Sequence, residues 1–352
     1  MNGGLPTISD YNDIEGNLLI LLNKCREFDD IDLLKIQKAY RYTIASHEKE
    51  FRKNKEPYYT HPLLATLYYL YIFDFPDTNS IAACLLHDTA EHSKNPEEKL
   101  EDIEKKFGLE VRKLVNGLTN IRGTKTDEAL SFSKLMLEMI KDYRVMLIKL
   151  CDRLHNLVTL DGIKDETKRR IIAEESLKFF VPIAKWIGVW KLKQHLEEKA
   201  FSYLDPENYK IIKDNLSKKF LEFAGLIKEL EHKVKQVMKY YGVDCNTSVT
   251  HKSHYELYQL MEKGAKSIED IDNFYSFVIY LNNNDVPYCY FVLGILYKYF
   301  TPFEMRDYIA FPKFNQYQSL LTYLYNEDRK KIEVLIRTLE MDDIATDRKS
   351  VV

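Results

Sequence analysis

From about residue 30 to residue 240, apolar side chains recur at steps of three and four, as in Leu33, Leu34, Ile36, Ala39, Tyr40 and Ile44. That is the period of a helix with one buried stripe, not of a strand. Glycine (12) and proline (10) are too scarce in the whole chain to break such a pattern often. This stretch therefore reads as a run of helices joined by short loops. Asp77-Thr78-Asn79-Ser80 reads as a cap before a helix Ile81–Glu91, and Gly108 after Phe107 as a left-handed stop. The helical period continues, more highly charged, through Asp205–Tyr241. After Gly242 the texture changes. Phe274–Leu281 is aromatic and β-branched and is followed by an asparagine-rich turn, Ile332–Arg337 reads as a second strand, and a helical run Tyr290–Phe300 lies between them. The expected architecture is an all-helical unit over 1–200 followed by a mixed α+β unit over 201–352, in keeping with a chain of 352 residues. The sequence has no internal repeat and no low-complexity tract.

The charge balance, 51 basic against 54 acidic residues, gives a net −3. It offers no general affinity for nucleic acid or for a membrane surface, and neither is expected as a partner. The segment Asn17–Leu22 is too short to span a bilayer and no signal peptide is visible. The five cysteines form no CxxC pair and read as reduced thiols, mostly core fillers. A cytoplasmic protein is the expectation.

Chemistry concentrates where polar residues interrupt apolar helices. His87-Asp88 closes the apolar run Ala82–Leu86. His61 opens another in Tyr59-Thr60-His61-Pro62, and Asp152 follows Leu147-Ile148-Lys149-Leu150-Cys151. A buried imidazole or carboxylate needs a strong partner. For any one of these alone a hydrogen bond would suffice. Together, two imidazoles and two carboxylates form a mixed N/O set suited to Mn²⁺, Fe²⁺ or, less selectively, Zn²⁺. Such an ion would lower the pKa of bound water and neutralise a phosphoryl oxygen. Glu91, four residues after His87 and on the same face of the expected helix, and His92 beside it are candidates for proton transfer. Asp152, Asn156 and Thr159 make a polar stripe along one helix face and suggest a pocket wall, with Arg153 and His155 turned to other faces. Arg52-Lys53-Asn54-Lys55, just before His61, is a candidate contact for phosphate or base.

At this point the residues resemble the RelA/SpoT homologue family. Ala39–Pro62, with His47, Arg52-Lys53, Glu56-Pro57-Tyr58 and His61-Pro62, is similar to the first motif of that family's hydrolase domain. The stretch from Ala82 to His92 resembles its HDxxED motif. Val111–Thr119, Asp142–Leu160 and Leu196–Leu204 resemble later blocks in the same order. The resemblance implies an HD-type helical fold and, usually, Mn²⁺ held by His61, His87, Asp88 and Asp152. It implies substrate contacts from Arg52, Lys53, Asn156 and Thr159, and a catalytic pair at Glu91 and His92, where the family expects Asp at the second place. The implied reaction removes pyrophosphate from the 3′ position of a guanosine alarmone such as (p)ppGpp. An adenosine alarmone or another 3′-phosphorylated nucleotide is an alternative substrate, and a non-catalytic nucleotide-binding regulator an alternative role.

The C-terminal part resembles the same family's synthetase domain in degenerate form. Asn273 stands where the family has an acidic metal ligand. Val278 stands in place of an arginine, Leu321 of a histidine and Leu335 of a glutamine. Lys252, Tyr255, Glu333 and Arg337 persist. Phosphoryl transfer from ATP needs metal and cationic clamps, so the expectation is a domain that folds without synthetase activity and retains a structural, regulatory or nucleotide-sensing role through Lys313, Asn315 and Tyr317.

Overall fold

A computed structural model describes residues 5–74, 76–119, 125–264, 274–312, 317–325 and 331–345. The chain divides into two compact units, Met1–Ser176 and Leu177–Val352. The sequence placed the division at 200/201.

The first unit is helical: α1 (Ile14–Cys25), α2 (Leu33–Ser46), α3 (Thr60–Ile72), α4 (Thr78–Leu86), α5 (Pro96–Phe107), α6 (Leu109–Leu118), α7 (Lys125–Lys141), α8 (Tyr143–Val158) and α9 (Glu166–Glu175). Its centre is α3, in which every residue from Thr60 to Leu70 is buried. A helix apolar on all sides has no face to offer water and is enclosed by its neighbours, here α4 and α8 among them. His61 enters the core because it sits in the first turn of this helix. Asp77 caps α4 by accepting from the amides of Asn79 and Ser80 at 2.9 and 3.0 Å. Asp142 caps α8 by accepting from Arg144 N at 3.0 Å. Gly108 ends α5 where the sequence indicated, at φ 96° but with ψ 162°, an extended glycine conformation rather than the expected left-handed cap.

The expected helix Ile81–Glu91 is shorter. It stops at Leu86, and residues from His87 to Ser93 form turns. The Thr89 hydroxyl donates to Leu86 O at 2.7 Å, and Thr89 N to the same oxygen at 3.0 Å. The carbonyl that would have continued the helix is thereby taken. Glu91 consequently does not share a helical face with His87.

The second unit carries α10 (Val181–Ile187), α11 (Trp190–Leu204), α12 (Pro206–Tyr240), α13 (His254–Glu262), α14 (Val286–Tyr299) and α15 (Leu339–Ala345) with a five-stranded sheet. The strands are β1 (Cys245–His251), β2 (Tyr275–Leu281), β3 (Thr301–Asp307), β4 (Leu320–Tyr325) and β5 (Lys331–Thr338), in the order β1-β2-β5-β4-β3. Only the β2–β5 pair is parallel. Within this unit α11 is tied to α13. Lys193 Nζ lies 3.0 Å from Glu197 and 2.6 Å from Glu256, and the Ser253 hydroxyl donates to Glu197 at 2.9 Å. The bonds from Lys193 to Glu256 and from Ser253 to Glu197 hold α11 to the start of α13 within this unit. No helix among the described residues is long and apolar enough to cross a membrane.

Candidate metal centre and adjoining cavity

Four polar side chains, distant in sequence, meet in the first unit. His61 Nε2 lies 3.1 Å from Asp152 Oδ1 and 3.5 Å from Asp88 Oδ2. His87 Nε2 lies 3.3 Å from Asp88 Oδ1 and 3.8 Å from Asp152 Oδ1. The donor atoms of His61, His87 and Asp88 all fall within 4.8 Å of one another. Each comes from a helix end or helix face: the first turn of α3, the C-cap of α4 and the turn after it, and the buried side of α8.

The proton bookkeeping at this centre favours a cation. The Cys84 carbonyl, 2.7 Å from His87 Nδ1, can only accept, so Nδ1 carries the hydrogen. In the neutral ring Nε2 then presents a lone pair toward two carboxylates, and this buried atom has no hydrogen-bond partner among the described residues. Burial alone pushes the Asp88 carboxyl up, but in acid the positive charge of the His87 and His61 rings outweighs it and holds the group down to about 2. Burial likewise opposes ionisation of Asp152, and the Lys149 ammonium at 2.8 Å outweighs it, holding that carboxyl well below its usual range. His61 is pulled down to about 4, chiefly by burial, and is a neutral imidazole at neutral pH. Two ionised carboxylates and two imidazoles, nearly closed to water, form a donor set that fits a divalent ion.

The second layer was not visible in the sequence. His155, read as facing elsewhere, places Nδ1 2.7 Å from His61 Nδ1. One of the two must donate, and donation from His61 leaves its Nε2 free for the centre. The Tyr58 hydroxyl donates to Asp88 Oδ2 at 2.8 Å. Lys149, three residues before Asp152, and His155, three after it, both follow from helical spacing once Asp152 is known to face inward.

A cavity of about 510 Å³ opens against Asp152. Arg52, Lys53, Asn156 and Thr159 all line it, as do Lys149, Arg153 and Lys168. Arg52 Nη2 donates to Asn156 Oδ1 at 3.0 Å and to Thr159 Oγ1 at 3.1 Å, so the expected polar stripe on α8 positions the guanidinium. The turn that presents Arg52 is closed by Arg52 N donating to Glu56 O at 2.8 Å, with Lys55 in the left-handed region at φ 71°. Gly162 also lines the cavity, against Asn54. A Cβ there would stand 3.3 Å from Asn54 N, and only glycine permits that approach without displacement. Arg153, expected on another face, also lines the cavity and lies 3.4 Å from Glu175. The five cations against one carboxylate make the cavity basic.

Glu91 and His92 do not line this cavity. Burial lowers the pKa of the Lys134 ammonium, and Glu138 and, after it, Glu91 oppose that only in part, so Glu91 lies near this lysine. His92 Nδ1 lies 2.7 Å from Glu50 Oε2, and the His92 ring packs 4.5 Å from that of Tyr58.

In the second unit the substituted positions form one row. Val278 stands opposite Leu335, and Leu335 opposite Leu321, across β2, β5 and β4. Val278 is fully buried and Leu335 nearly so. The retained polar residues are engaged within the unit. Glu333 bonds the Ser276 hydroxyl and accepts from Tyr323 at 2.7 Å, and Arg337 pairs with Asp342 at 2.6 Å. Asn273, Lys313 and Asn315 lie outside the described residues. Tyr317 is half-buried.

Comparison with known proteins gives two family matches along the chain, the first of which runs past Ser176. A family model described as an HD domain matches residues 39–190, and one described as a region found in RelA / SpoT proteins matches residues 250–350. The chain is similar to RelA/SpoT proteins over most of its length. It is 37% identical over 316 residues to a guanosine-3′,5′-bis(diphosphate) 3′-pyrophosphohydrolase of Aquifex aeolicus, covering 88% of this chain and 44% of that protein. It is 33% identical over 325 residues to the GTP pyrophosphokinase rsh of Brucella melitensis, covering 90% and 42%. It is 33% identical over 319 residues to the bifunctional (p)ppGpp synthase/hydrolase SpoT of Escherichia coli, covering 88% and 44%. The chain thus spans less than half the length of these curated RelA/SpoT relatives.

Proposed function

We propose that the first unit removes pyrophosphate from the 3′ position of (p)ppGpp, leaving GDP or GTP, with Mn²⁺ held by His61, His87, Asp88 and Asp152. The observation that carries this reading is the convergence of two ionised carboxylates and two imidazoles at the edge of a basic cavity. When bound, a divalent ion supplies Lewis acidity toward a phosphoryl oxygen and makes water a stronger nucleophile. The chain's own residues do the rest. Arg52, fixed by Asn156 and Thr159, offers a planar donor pair to a phosphate, and Lys53 adds charge beside it. Glu50 holds the Nδ1 hydrogen of His92, so the Nε2 of the neutral ring is free to take a proton. Glu91 is the second proton-handling group.

The second unit is proposed to lack synthetase activity. Three neighbouring positions that would present a guanidinium, an imidazole and an amide present an apolar row instead, and the phosphate clamps that transfer from ATP requires are missing from it.

The test is release of pyrophosphate from (p)ppGpp by the purified chain with Mn²⁺. Wild type is expected to turn over, and His87→Ala and Asp88→Ala to fall to background. Equal rates in all three proteins would remove the site. Formation of an alarmone from ATP and GDP would refute the second part, and faster turnover of an adenosine than of a guanosine alarmone would change the substrate.

A further inference from the structure

A second cluster of metal-binding character lies in the same unit, outside the four-residue centre. His47, at the C-cap of α2, places Nδ1 2.8 Å from Glu50 Oε2, and His92 places its own Nδ1 2.7 Å from the same oxygen. The three donor atoms lie within 4.8 Å of one another. The cluster is graded in exposure. The His47 side chain has no exposed surface, whereas Glu50 is 36% and His92 30% exposed. One side is therefore closed by protein and the other open to water. Tyr58 supplies the wall, stacked on His47 with ring centroids 4.7 Å apart and 4.5 Å from the ring of His92.

The protonation states suit ligation. Burial pulls His47 down, against the opposing pull of Glu50, so its ring is neutral at neutral pH. Burial pushes Glu50 up, and its hydrogen bonds with His47 and His92 outweigh it, so the carboxylate is ionised. A neutral imidazole and an ionised carboxylate are the forms that bind a metal.

We propose that His47, Glu50 and His92 form a second divalent-cation site, selective for Zn²⁺ over Mn²⁺. Two imidazoles and one carboxylate with an open fourth position are the donor set of a three-ligand zinc site. This set is richer in nitrogen than the two-carboxylate centre nearby, which shifts preference toward the borderline ion. At bond lengths of about 2.0 Å, neighbouring ligands of a tetrahedral ion stand about 3.3 Å apart. The present contacts of 2.7 and 2.8 Å need open by only about half an ångström, within reach of the two partly exposed side chains. Ligation through Nδ1 moves the ring hydrogens of His47 and His92 from Nδ1 to Nε2, so occupancy takes up Glu50 and leaves His92 Nε2 unable to accept a proton. Inhibition of hydrolysis by Zn²⁺ is the consequence. That consequence rests on the proposed role of His92, whereas the site itself does not.

The experiment counts ions retained by the metal-stripped full chain after equilibration with Zn²⁺ and gel filtration, by elemental analysis. Wild type is expected to hold two per chain, and a Glu50→Ala, His92→Ala double variant one. Both substituted residues are partly exposed, and circular dichroism checks that the variant folds. A His92→Asn single variant, with weakened retention of the second ion, is the milder control. A His87→Ala, Asp88→Ala variant is expected to keep the ion at Glu50. Equal ion counts in wild type and the Glu50→Ala, His92→Ala variant overturn the proposal, whereas one ion in wild type and none in that variant would count against the four-residue centre alone. Two ions in the His87→Ala, Asp88→Ala variant alone would instead count against the four-residue centre and leave this site standing.

Discussion

Both units bury charge, but they satisfy it in opposite ways. In the second unit buried ions close into local groups. Lys193 sits between Glu197 and Glu256, Arg337 meets Asp342, and Glu333 is held by two hydroxyls. In the first unit two carboxylates and two imidazoles face one point, with Lys149 the nearest permanent cation. Paired charges need nothing further from outside. Converging lone pairs need a cation, and this difference separates a structural network from a binding site better than burial alone does.

The comparison breaks first where a local group is opened. Lys193→Met leaves Glu197 buried beside Ser253 and is expected to destabilise the second unit by about 3–5 kcal/mol, with no recovery on adding Mn²⁺. Urea unfolding with and without the ion measures both. Recovery would mean that this group, too, binds metal. Next, Mn²⁺ at about a hundred times its dissociation constant is expected to stabilise the first unit by about 2.7 kcal/mol and to leave the second unchanged. Calorimetry with the ion and with a chelator reads the two transitions, and Asp88→Ala should abolish the shift. The smallest expected effect is at His155. His155→Ala removes the partner of His61 Nδ1 and is expected to weaken Mn²⁺ binding roughly 10- to 100-fold, measured by titration calorimetry. Unchanged affinity would mean that the pairing of the two rings does not orient His61.

Much of this arrangement could be read from residue order, for identifiable reasons. The helical period exposed α2, α5 and α12, and the β-branched runs exposed β2 and β5, because those elements bury a regular face. β1, β3 and β4 were not read as strands: β1 and β3 are the edges of the sheet, half-exposed and mixed in polarity, β3 with Pro302, whereas β4 is an inner strand of only six residues. The converging residues stood out because each interrupts an apolar run. The end of α4 at Leu86 did not, because no glycine or proline marks it and the stop is made by the Thr89 hydroxyl. His155 was misassigned because helical spacing alone does not say which face α8 turns toward α3. The trio around Glu50 was hidden because His47 and His92 are far apart in sequence and meet only through the turns at either end.

The apolar row across β2, β5 and β4 has a consequence for substitution. Val278 has no exposed surface, and its neighbours in register are Leu335 on β5 and Ser248 on β1. An arginine placed at 278 alone would have to lose its water there, and the carboxylate two residues along β5, Glu333, is already held by the Ser276 and Tyr323 hydroxyls. A glutamine placed at 335 alone would stand between valine and leucine. Polar side chains are thus expected to be tolerated in this row together rather than one at a time.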